Sequence, residues 1–362
     1  MKITLSSDDF RKALDIILGA IPKQAIPSAC QYARFEVEGD ALRLRTGDGE
    51  MQIEMDVPLV QSDGRTAFLI GIKTLREAMH EVPTQPMTLT LDEKNRLTVA
   101  YQNGEFVIPT MAADSFPLLR WQGAYDNPIT LTPALRNAII ATRNSADDKN
   151  ELHPQLCCVC LDIDEPYVTV TGTTGASLYT RTVETDAKGS GRILITPAAL
   201  KRLPNMTGEG CKMLWSEKMV YVEADGGRMF FVPMTTRYPN FTPLLDGGTV
   251  EAEATVDRRT LYNTVRRLEK FNGDDEDIIE LTAAYNEIIV VSGGDESKAK
   301  GQTVIPCKCE GKFHVYVTAE ALGAVLAAAE QEEISIRFVA TDRPLFINDG
   351  ENGVGLVMPL AR

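Results

Sequence analysis

The chain has few of the residues from which enzymes most often build catalytic centres. Its 362 residues include only 3 histidines. These are His80, His153 and His314, which lie in unrelated places with no Cys or Ser motif beside them. Acid–base and nucleophilic catalysis need such groups to converge. The sequence therefore predicts a protein that is not an enzyme, with no catalytic residues and no cofactor.

Long apolar runs are also missing. No stretch approaches the roughly 18 residues needed to span a bilayer, and the longest candidate, residues 319–329, is followed by acidic residues. The opening Met1-Lys2-Ile3-Thr4 runs directly into a polar cluster, which is not the pattern of a signal peptide. We expect a cytoplasmic protein without membrane contact.

The 7 cysteines are an odd number and lack the density of a disulfide scaffold, which suits a reducing cytoplasm. Cys157, Cys158 and Cys160, or the pair in residues 307–309, could be read as metal ligands. Because residues 156–163 alternate like a strand, we expect Cys157 on one face and the other two on the opposite face. No metal site is predicted.

The net charge of −14 argues against strong binding to nucleic acid. The predicted helices nevertheless carry more Lys and Arg than Asp and Glu, although the last helix has no basic residue. Two interpretations stay open: ordinary solvated faces, or one shared surface facing a polyanion, since phosphate contacts need only nearby Lys and Arg. The predicted helices span residues 8–20, 72–81, 133–143, 197–203, 257–270 and 319–330.

The most informative feature present is a pattern that occurs three times. A hydrophobic strand ending in Thr or Ser and then Gly recurs at intervals of about 120 to 126 residues, and so does an apolar pair before a proline. The first landmark is at residues 42–47, 168–172 and 289–293, and the second at 107–109, 231–233 and 357–359. Three copies predict three domains, at residues 1–122, 126–247 and 250–362.

Each repeat follows one plan of a short strand, a capped amphipathic helix, more strands, a second helix and closing strands. The predicted N-caps come from the cluster Ser6-Ser7-Asp8 in the first repeat, Thr132 in the second and Asp257 in the third, with Pro133 at the favoured first helical position. This order predicts an α+β fold in which each domain packs two helices on antiparallel sheets.

The order and spacing of several short motifs resemble the bacterial DNA polymerase III β subunit, the sliding clamp, over the whole chain. The motifs are Gly47-Asp48-Gly49-Glu50-Met51, Ala112-Ala113-Asp114-Ser115-Phe116-Pro117 and Val357-Met358-Pro359-Leu360. The resemblance implies three clamp domains and a head-to-tail homodimer that closes into a ring around duplex DNA of any sequence. A ring holds DNA by enclosure, so a chain of charge −14 could serve DNA without strong adhesion.

The resemblance also implies an apolar groove between the second and third domains. It would take short linear peptides from the replicative polymerase, the clamp loader and repair proteins. The matching residues are Leu156, Thr173, Gly175, Leu178, Pro239, Leu244, Val317, Pro344, Phe346, Val357, Met358, Pro359 and Leu360. Leu, Val, Met and Pro suit an adaptable surface. Ala176-Ser177 stands where the family often has His-Arg, so partner preference is expected to differ.

Two further residue sets follow from the resemblance. The ring interface would pair Ala78, Val82, Phe106 and Ile108 with Lys270 and Phe271 of a second copy, although an ordinary core position is the alternative for each apolar member. The residues expected to face DNA are Lys23, Gln24, Arg136, Arg143, His153, Gln155, Lys201, Arg202, Arg266 and Arg267.

A different class of function stays open as the alternative, an acidic β-rich ligand-binding module or hydrolase built of repeats. Residues 171–176 superficially resemble a phosphate-binding loop, but they lack Gly-Lys-Ser/Thr and a following helix. The acidic run 274–277 lacks EF-hand spacing. The repeat favours the clamp.

Overall fold

The computed structural model describes residues 1–21, 28–121, 123, 128–147, 149–206, 210–272, 277–293 and 300–361. The helices in these ranges are α1 (Ser7–Leu18), α2 (Ile72–His80), α3 (Pro133–Thr142), α4 (Pro197–Leu200), α5 (Arg258–Leu268) and α6 (Ala319–Ala328). All six predicted helices are confirmed. α4 ends at Leu200 and is shorter than predicted because Pro204 has no N–H to donate to Leu200 O, and the chain continues as a 3-10 turn, Leu203–Asn205.

The strands supply most of the fold. In chain order they are β1 (Lys2–Ser6), β2 (Ala33–Glu38), β3 (Ala41–Gly47), β4 (Met51–Asp63), β5 (Ala67–Ile70), β6 (Pro86–Leu91), β7 (Arg96–Tyr101), β8 (Gly104–Ala112), β9 (Ile129–Thr130), β10 (Val159–Asp164), β11 (Tyr167–Thr173), β12 (Ser177–Glu184), β13 (Ser190–Ile195), β14 (Lys212–Trp215), β15 (Val220–Ala224), β16 (Gly227–Phe231), β17 (Ala252–Asp257), β18 (Ile278–Ala284), β19 (Glu287–Ser292), β20 (Gly301–Pro306), β21 (Lys308–Glu310), β22 (Phe313–Thr318), β23 (Glu333–Phe338), β24 (Leu345–Asn348) and β25 (Gly353–Val357). Every pairing between them is antiparallel.

Four helices begin at a side-chain cap. Ser6, Thr132, Asp257 and Thr318 each accept a hydrogen bond from the backbone N–H three residues on, at 3.4, 3.2, 2.6 and 3.1 Å. Pro133 occupies the first turn of α3. The predicted caps Thr132 and Asp257 are confirmed, and among the three candidates before α1 the cap is Ser6; each cap contributes about 1 kcal/mol to helix stability.

The order of elements repeats three times, but the chain folds as two compact units. Unit 1 comprises Met1–Leu131 and Lys201–Pro233, and unit 2 comprises Thr132–Leu200 and Met234–Arg362. The middle third of the sequence therefore contributes strands to both units. The boundaries of the three predicted domains stay a prediction.

Unit 1 contains one sheet of twelve strands in the order β1-β6-β7-β8-β5-β2-β3-β4-β16-β15-β14-β9. Strand β1 also pairs with β4, so the first eight strands close on themselves. The long β4 makes this possible because Leu59–Asp63 pair with β1 while Met51–Met55 pair with β16. The buried Phe10 of α1 packs edge-to-face on Phe35, with ring centroids 5.9 Å apart.

One face of this sheet carries a ladder of ion pairs. Arg45 is 7% exposed, and its Nε lies 2.8 Å from Glu54 Oε1. Asp56 accepts hydrogen bonds from Arg43 at 2.6 Å and Arg228 at 2.9 Å. Burial would raise the pKa of Asp56, but the hydrogen bond from Arg43 and the charge of Arg228 outweigh it and hold this pKa below its ordinary value.

Unit 2 contains a nine-stranded sheet, β13-β10-β11-β12-β25-β24-β23-β17-β21, and a four-stranded sheet, β20-β19-β18-β22. Helix α6 lies between its neighbours: the Ser145 hydroxyl after α3 donates to Ala324 O at 3.3 Å, and Arg258 of α5 donates to Leu326 O at 3.1 Å. A Cβ at Gly355 of β25 would lie 2.1 Å from Val325 Cγ1, so only glycine allows this approach. The helix without basic residues is thus the buried one.

None of the helices described here is long and apolar enough to cross a membrane.

Candidate functional site

A row of side chains crosses four strands of the nine-stranded sheet in unit 2. Thr173 of β11 lies opposite Leu178 of β12, Leu178 opposite Leu356 of β25, and Leu356 opposite Phe346 of β24. Residues directly opposite each other project from the same face of a sheet. Leu178, Leu356 and Phe346 form one apolar cluster. The residues beside them in sequence belong to the core on the helix side, namely Tyr179, Leu345, Ile347 and Val357.

Thr173, Leu178 and Leu356 of this row line a cavity of about 130 Å³, the first compartment. It lies between the β11–β12 hairpin, the end of β25 and the segment 239–244. Seven predicted pocket residues line it: Leu156, Thr173, Gly175, Leu178, Pro239, Leu244 and Met358. Five others complete the lining, and none of the twelve side chains is charged: Ala176, Ser177, Asn240, Phe241 and Leu356.

The hairpin turn at the rim is fixed by its own hydrogen bonds. Thr173 Oγ1 donates to Ser177 O at 2.6 Å and accepts from Gly175 N at 3.0 Å. Gly175 has φ +92, a conformation that favours glycine. Met358 N donates to Ala176 O at 2.9 Å and ties the segment after β25 to the turn. Residues 173–177 therefore form a turn between β11 and β12. They are followed by a strand, whereas a phosphate-binding loop is followed by a helix.

A buried tyrosine anchors the opposite wall. Tyr238 is 2% exposed, and its hydroxyl donates to Thr171 O at 3.3 Å. Burial raises the pKa of this phenol, which therefore stays neutral. Its ring meets Phe241 edge-to-face at 6.5 Å, and Leu244 N donates to Phe241 O at 2.8 Å in a 3-10 turn. Leu244 is held in place yet 44% exposed, so a ligand can cover it.

A second compartment of about 230 Å³ lies on the other side of Leu244. It holds the predicted residues Pro344 and Phe346. A Cβ at Gly247 would come within 3.3 Å of the Phe346 ring, so glycine lets the 246–248 loop lie against this ring. The remaining lining residues are Pro243, Asp246, Gly248, Val339 and Arg343.

Each unit also has a strand edge without a partner among the described strands. In unit 1, residues 104–109 of β8 pair with β7 on one side only, because β5 pairs further along at 110–112. In unit 2, β20 pairs only with β19. Val107 is 53% exposed and Val304 47% exposed. Long apolar edges of this kind are hazards unless another chain covers them.

Of the predicted interface residues, Phe106 and Ile108 lie on the free edge of β8, and Phe271 lies beside the first residue of β20. Phe106 and Ile108 are half-buried on β8, and the Phe106 ring packs 5.1 Å from that of Tyr101. Ala78 is half-buried on α2, whereas Val82 just after α2 is 4% exposed. In unit 2, exposed Lys270 and Phe271 follow α5, and the Phe271 ring would lie 3.2 Å from a Cβ at Gly301, the first residue of β20.

Basic residues lie on the exposed faces of the outer helices of unit 2. Arg266 and Arg267 are exposed on α5; Arg266 pairs with Glu269 at 3.2 Å. Arg136 is half-buried on α3, and exposed Arg143 follows this helix. His153 is exposed and Gln155 half-buried at the start of the 3-10 turn Pro154–Cys157. In unit 1, Lys201 is exposed and Arg202 half-buried after α4. Lys23 and Gln24 lie outside the described residues.

The first helix of unit 1 does not share this basic character. On α1, Asp8 pairs with Lys12 at 2.7 Å, and Asp15 pairs with Arg76 of α2 at 2.6 Å. Its surface charges therefore largely neutralise each other, and the positive charge of the helices is concentrated on α5, which carries four arginines.

Comparison with known proteins agrees with this architecture. Residues 1–120 match the family of the DNA polymerase III beta subunit, N-terminal domain. Among solved structures, the sliding clamp of Bacillus subtilis is similar with a TM-score of 0.90 at 18% identity, covering 100% of this chain and 99% of its own. The beta subunit of Streptococcus pyogenes DNA polymerase gives a TM-score of 0.92 at 17% identity, with both chains covered completely.

The chain has the bacterial sliding-clamp fold. The Helicobacter pylori beta clamp bound to a DNA ligase peptide has it too, with a TM-score of 0.87 at 17% identity and 100% of both chains covered. A search of the curated proteins finds no significant match. The resemblance and the α+β clamp architecture predicted from the sequence are confirmed.

Within this clamp fold, four predicted groove residues lie outside both compartments. Val317 and Val357 are fully buried in the helix-side core. Pro359 and Leu360 are half-buried beyond the first compartment, where Leu360 N donates to Tyr316 O at 2.7 Å. Leu356, which the sequence argument missed, lines the cavity because β25 alternates: Leu356 and Met358 share one face, and Val357 points to the other.

The histidines and cysteines of this clamp fold are dispersed. His80 lies 3.0 Å from Asp15 and His314 3.0 Å from Glu280. Cys158 and Cys160 share a buried cluster with Tyr238, as the alternation predicts, and burial raises the pKa of Cys158 to about 12. In the part of the chain that the structure describes, no group of three or more His, Cys, Asp or Glu residues is placed to hold a metal ion.

Proposed function

We propose that this chain is a sliding clamp of bacterial type, a processivity factor without catalysis of its own. Two copies encircle duplex DNA head to tail and tether the replicative polymerase and other DNA-processing proteins. The observation that carries the proposal is the match of the whole chain to clamp structures, at TM-scores of 0.87 to 0.92. The family match of residues 1–120 supports it. Such a protein works on DNA in the cytoplasm.

The two unpaired strand edges support ring closure. A ring of two copies needs one surface from each end of the chain, and β8 and β20 offer edges in unit 1 and unit 2. Joining β8 of one copy to β20 of its partner would pair their backbone groups and cover Val107 and Val304. A head-to-tail contact of this kind forms a closed ring when its rotation closes.

The distribution of charge supports sliding over adhesion. A net charge of −14 keeps the overall attraction to DNA weak, while Arg136, Arg143, Arg266 and Arg267 supply positive charge on helix faces. Phosphate contacts of this sort do not read sequence and are easily exchanged along the duplex. Retention then depends on enclosure.

The first compartment supports peptide tethering. Its lining is uncharged and mostly apolar, and exposed Leu244 and Met358 can be covered by a ligand. Burying one or two apolar side chains of a peptide there contributes about 2 to 5 kcal/mol before the cost of ordering. The Helicobacter pylori clamp in complex with a DNA ligase peptide indicates the class of ligand.

Topological retention tests the ring. The purified protein should elute with a mass about twice 39.8 kDa. Loaded by its clamp loader onto a nicked circular plasmid, it should stay bound in high salt and leave when the plasmid is cut once. A stable monomer, or retention that is unchanged by cutting, would refute enclosure.

Peptide binding is tested separately with a fluorescein-labelled DNA ligase peptide, called the ligase peptide below. Fluorescence anisotropy should show saturable binding to the intact chain. Deleting residues 358–362 should abolish it, because Met358 lines the first compartment, and the dimer should remain. Unchanged affinity after the deletion would exclude this compartment as the binding site.

A further inference from the structure

The second compartment adjoins the peptide pocket and differs from it in charge. We propose that it binds the residues flanking the apolar anchor of a partner peptide and selects an acidic side chain there. This inference rests on the proposed peptide binding of the first compartment. The peptide source is the same partner protein, and only its flanking sequence is newly assigned.

Continuity of the two cavities is the first argument. Leu244 lines both of them. Phe346, in the second compartment, is the next residue after Leu356 in the row that crosses the sheet. Adjacent strands are about 4.8 Å apart and an extended peptide advances about 3.3 Å per residue. A peptide anchored over Leu356 therefore reaches Phe346 within one or two residues.

The uncharged lining of the first compartment is the second argument. Ala176 and Ser177 occupy its rim, and none of its lining side chains can distinguish an acidic from a basic peptide by charge. Any selection by charge must then come from a neighbouring surface. The second compartment is the neighbour that carries charged residues, Arg343 and Asp246.

The chemistry of the second compartment favours a carboxylate on an aliphatic stem. Phe346 and Pro344 are buried beneath it and offer an apolar floor. Exposed Arg343 makes no side-chain hydrogen bond or ion pair with the described residues. Arg337 follows Phe346 in the row but does not line the compartment, and its Nη2 donates to Asn348 Oδ1 at 3.2 Å.

One guanidinium group, that of Arg343, and one carboxylate, that of Asp246 on the 246–248 loop, therefore line the second compartment with Phe346. A glutamate can lay its methylene groups on the ring and direct its carboxylate to Arg343, where a charge-assisted hydrogen bond forms. Asp246 should weaken this contact and set its position, since like charges repel.

Matched peptides test the assignment. The ligase peptide is extended by two residues, Ser-Glu, Ser-Gln or Ser-Lys, at either end, and affinities are measured by anisotropy at low salt. At one end the Glu extension should bind about threefold more tightly than the Gln extension, as for an exposed ion pair. Arg343→Glu should reverse the order to favour Lys, and Asp246→Asn should increase the preference for Glu.

Two controls separate this inference from the proposed function. Lys312→Glu changes an exposed charge outside both compartments and should leave every affinity unchanged. The unextended ligase peptide should bind the intact chain and Arg343→Glu equally. If it binds and the Glu and Gln extensions bind alike at both ends, the inference is overturned while peptide binding stands. If the unextended peptide does not bind the intact chain, both fail.

Discussion

Leu244 offers a measurable test of the groove because it is shared by both compartments and half of its side chain is free. Full burial of a leucine contributes about 1.5 to 3 kcal/mol. Leu244 is 44% exposed, so a peptide that covers the remainder gains about 1 kcal/mol from it. Leu244→Ala should therefore weaken binding of the ligase peptide about fivefold.

The same substitution should leave the protein folded. The part of Leu244 already covered lies in a 3-10 turn at the surface and is outside the main core of unit 2. Its loss should lower the free energy of unfolding by about 1 kcal/mol. Anisotropy titrations should be run beside thermal unfolding of the same samples.

Tyr167→Ala is the matched control, since Tyr167 is 47% exposed on β11 of the nine-stranded sheet but lines neither compartment. Its affinity for the ligase peptide should equal that of the intact chain. If Leu244→Ala weakened the affinity for the ligase peptide less than twofold, or if both variants lost the same affinity, the assignment of this groove would be contradicted.

Four other outcomes are expected. Val107→Glu with Val304→Glu should dissociate the dimer in sedimentation experiments without unfolding it, because Val107 is exposed on β8 and Val304 on β20, the two edges that we propose to pair between copies. Arg267→Glu should weaken binding to short linear DNA and reduce its salt dependence by about one phosphate contact, while retention on nicked circular DNA should stay unchanged. Thr318→Ala should lower the free energy of unfolding by about 1 kcal/mol through loss of the α6 cap. The pKa of Asp56 in the folded protein lies below its unfolded value of about 3.9. Asp56 therefore stabilises the fold fully above that pH, and this stabilisation is lost as the pH falls through the folded pKa. Asp56→Asn should make the free energy of unfolding depend less on pH in this range of an acid-unfolding experiment.

Local features of the fold were predictable from the sequence because they depend on neighbouring residues. Ser6, Thr132 and Asp257 start helices through hydrogen bonds to residues three positions away. The end of α4 at Leu200 also has a local cause, since Pro204 has no N–H to continue the helix. The prediction of a helix over 197–203 does not take this into account. The pairing of distant strands has no comparable local signal. Nothing in the sequence of β4 itself indicates that this strand pairs with β3, β16 and β1.

The groove was predicted in part for a similar reason. Resemblance supplied Leu178, Leu244 and Met358, which line the first compartment. It also supplied Val357, which the alternation of β25 sends to the helix-side core. Counting residues in twos from Met358 would have selected Leu356 instead. The second compartment had no motif of its own, since it depends on a loop, 246–248, meeting a strand almost 100 residues later.

Because the middle third of the sequence gives strands to both units, its repeat boundaries are poor places to cut. A fragment of residues 126–247 would lose the partner of β16, which is β4, and the partner of β12, which is β25. Two strand edges with unpaired backbone groups would then be exposed to water. A fragment for expression or labelling should therefore keep the strands of each sheet together, because the three repeats cannot be separated without breaking sheets.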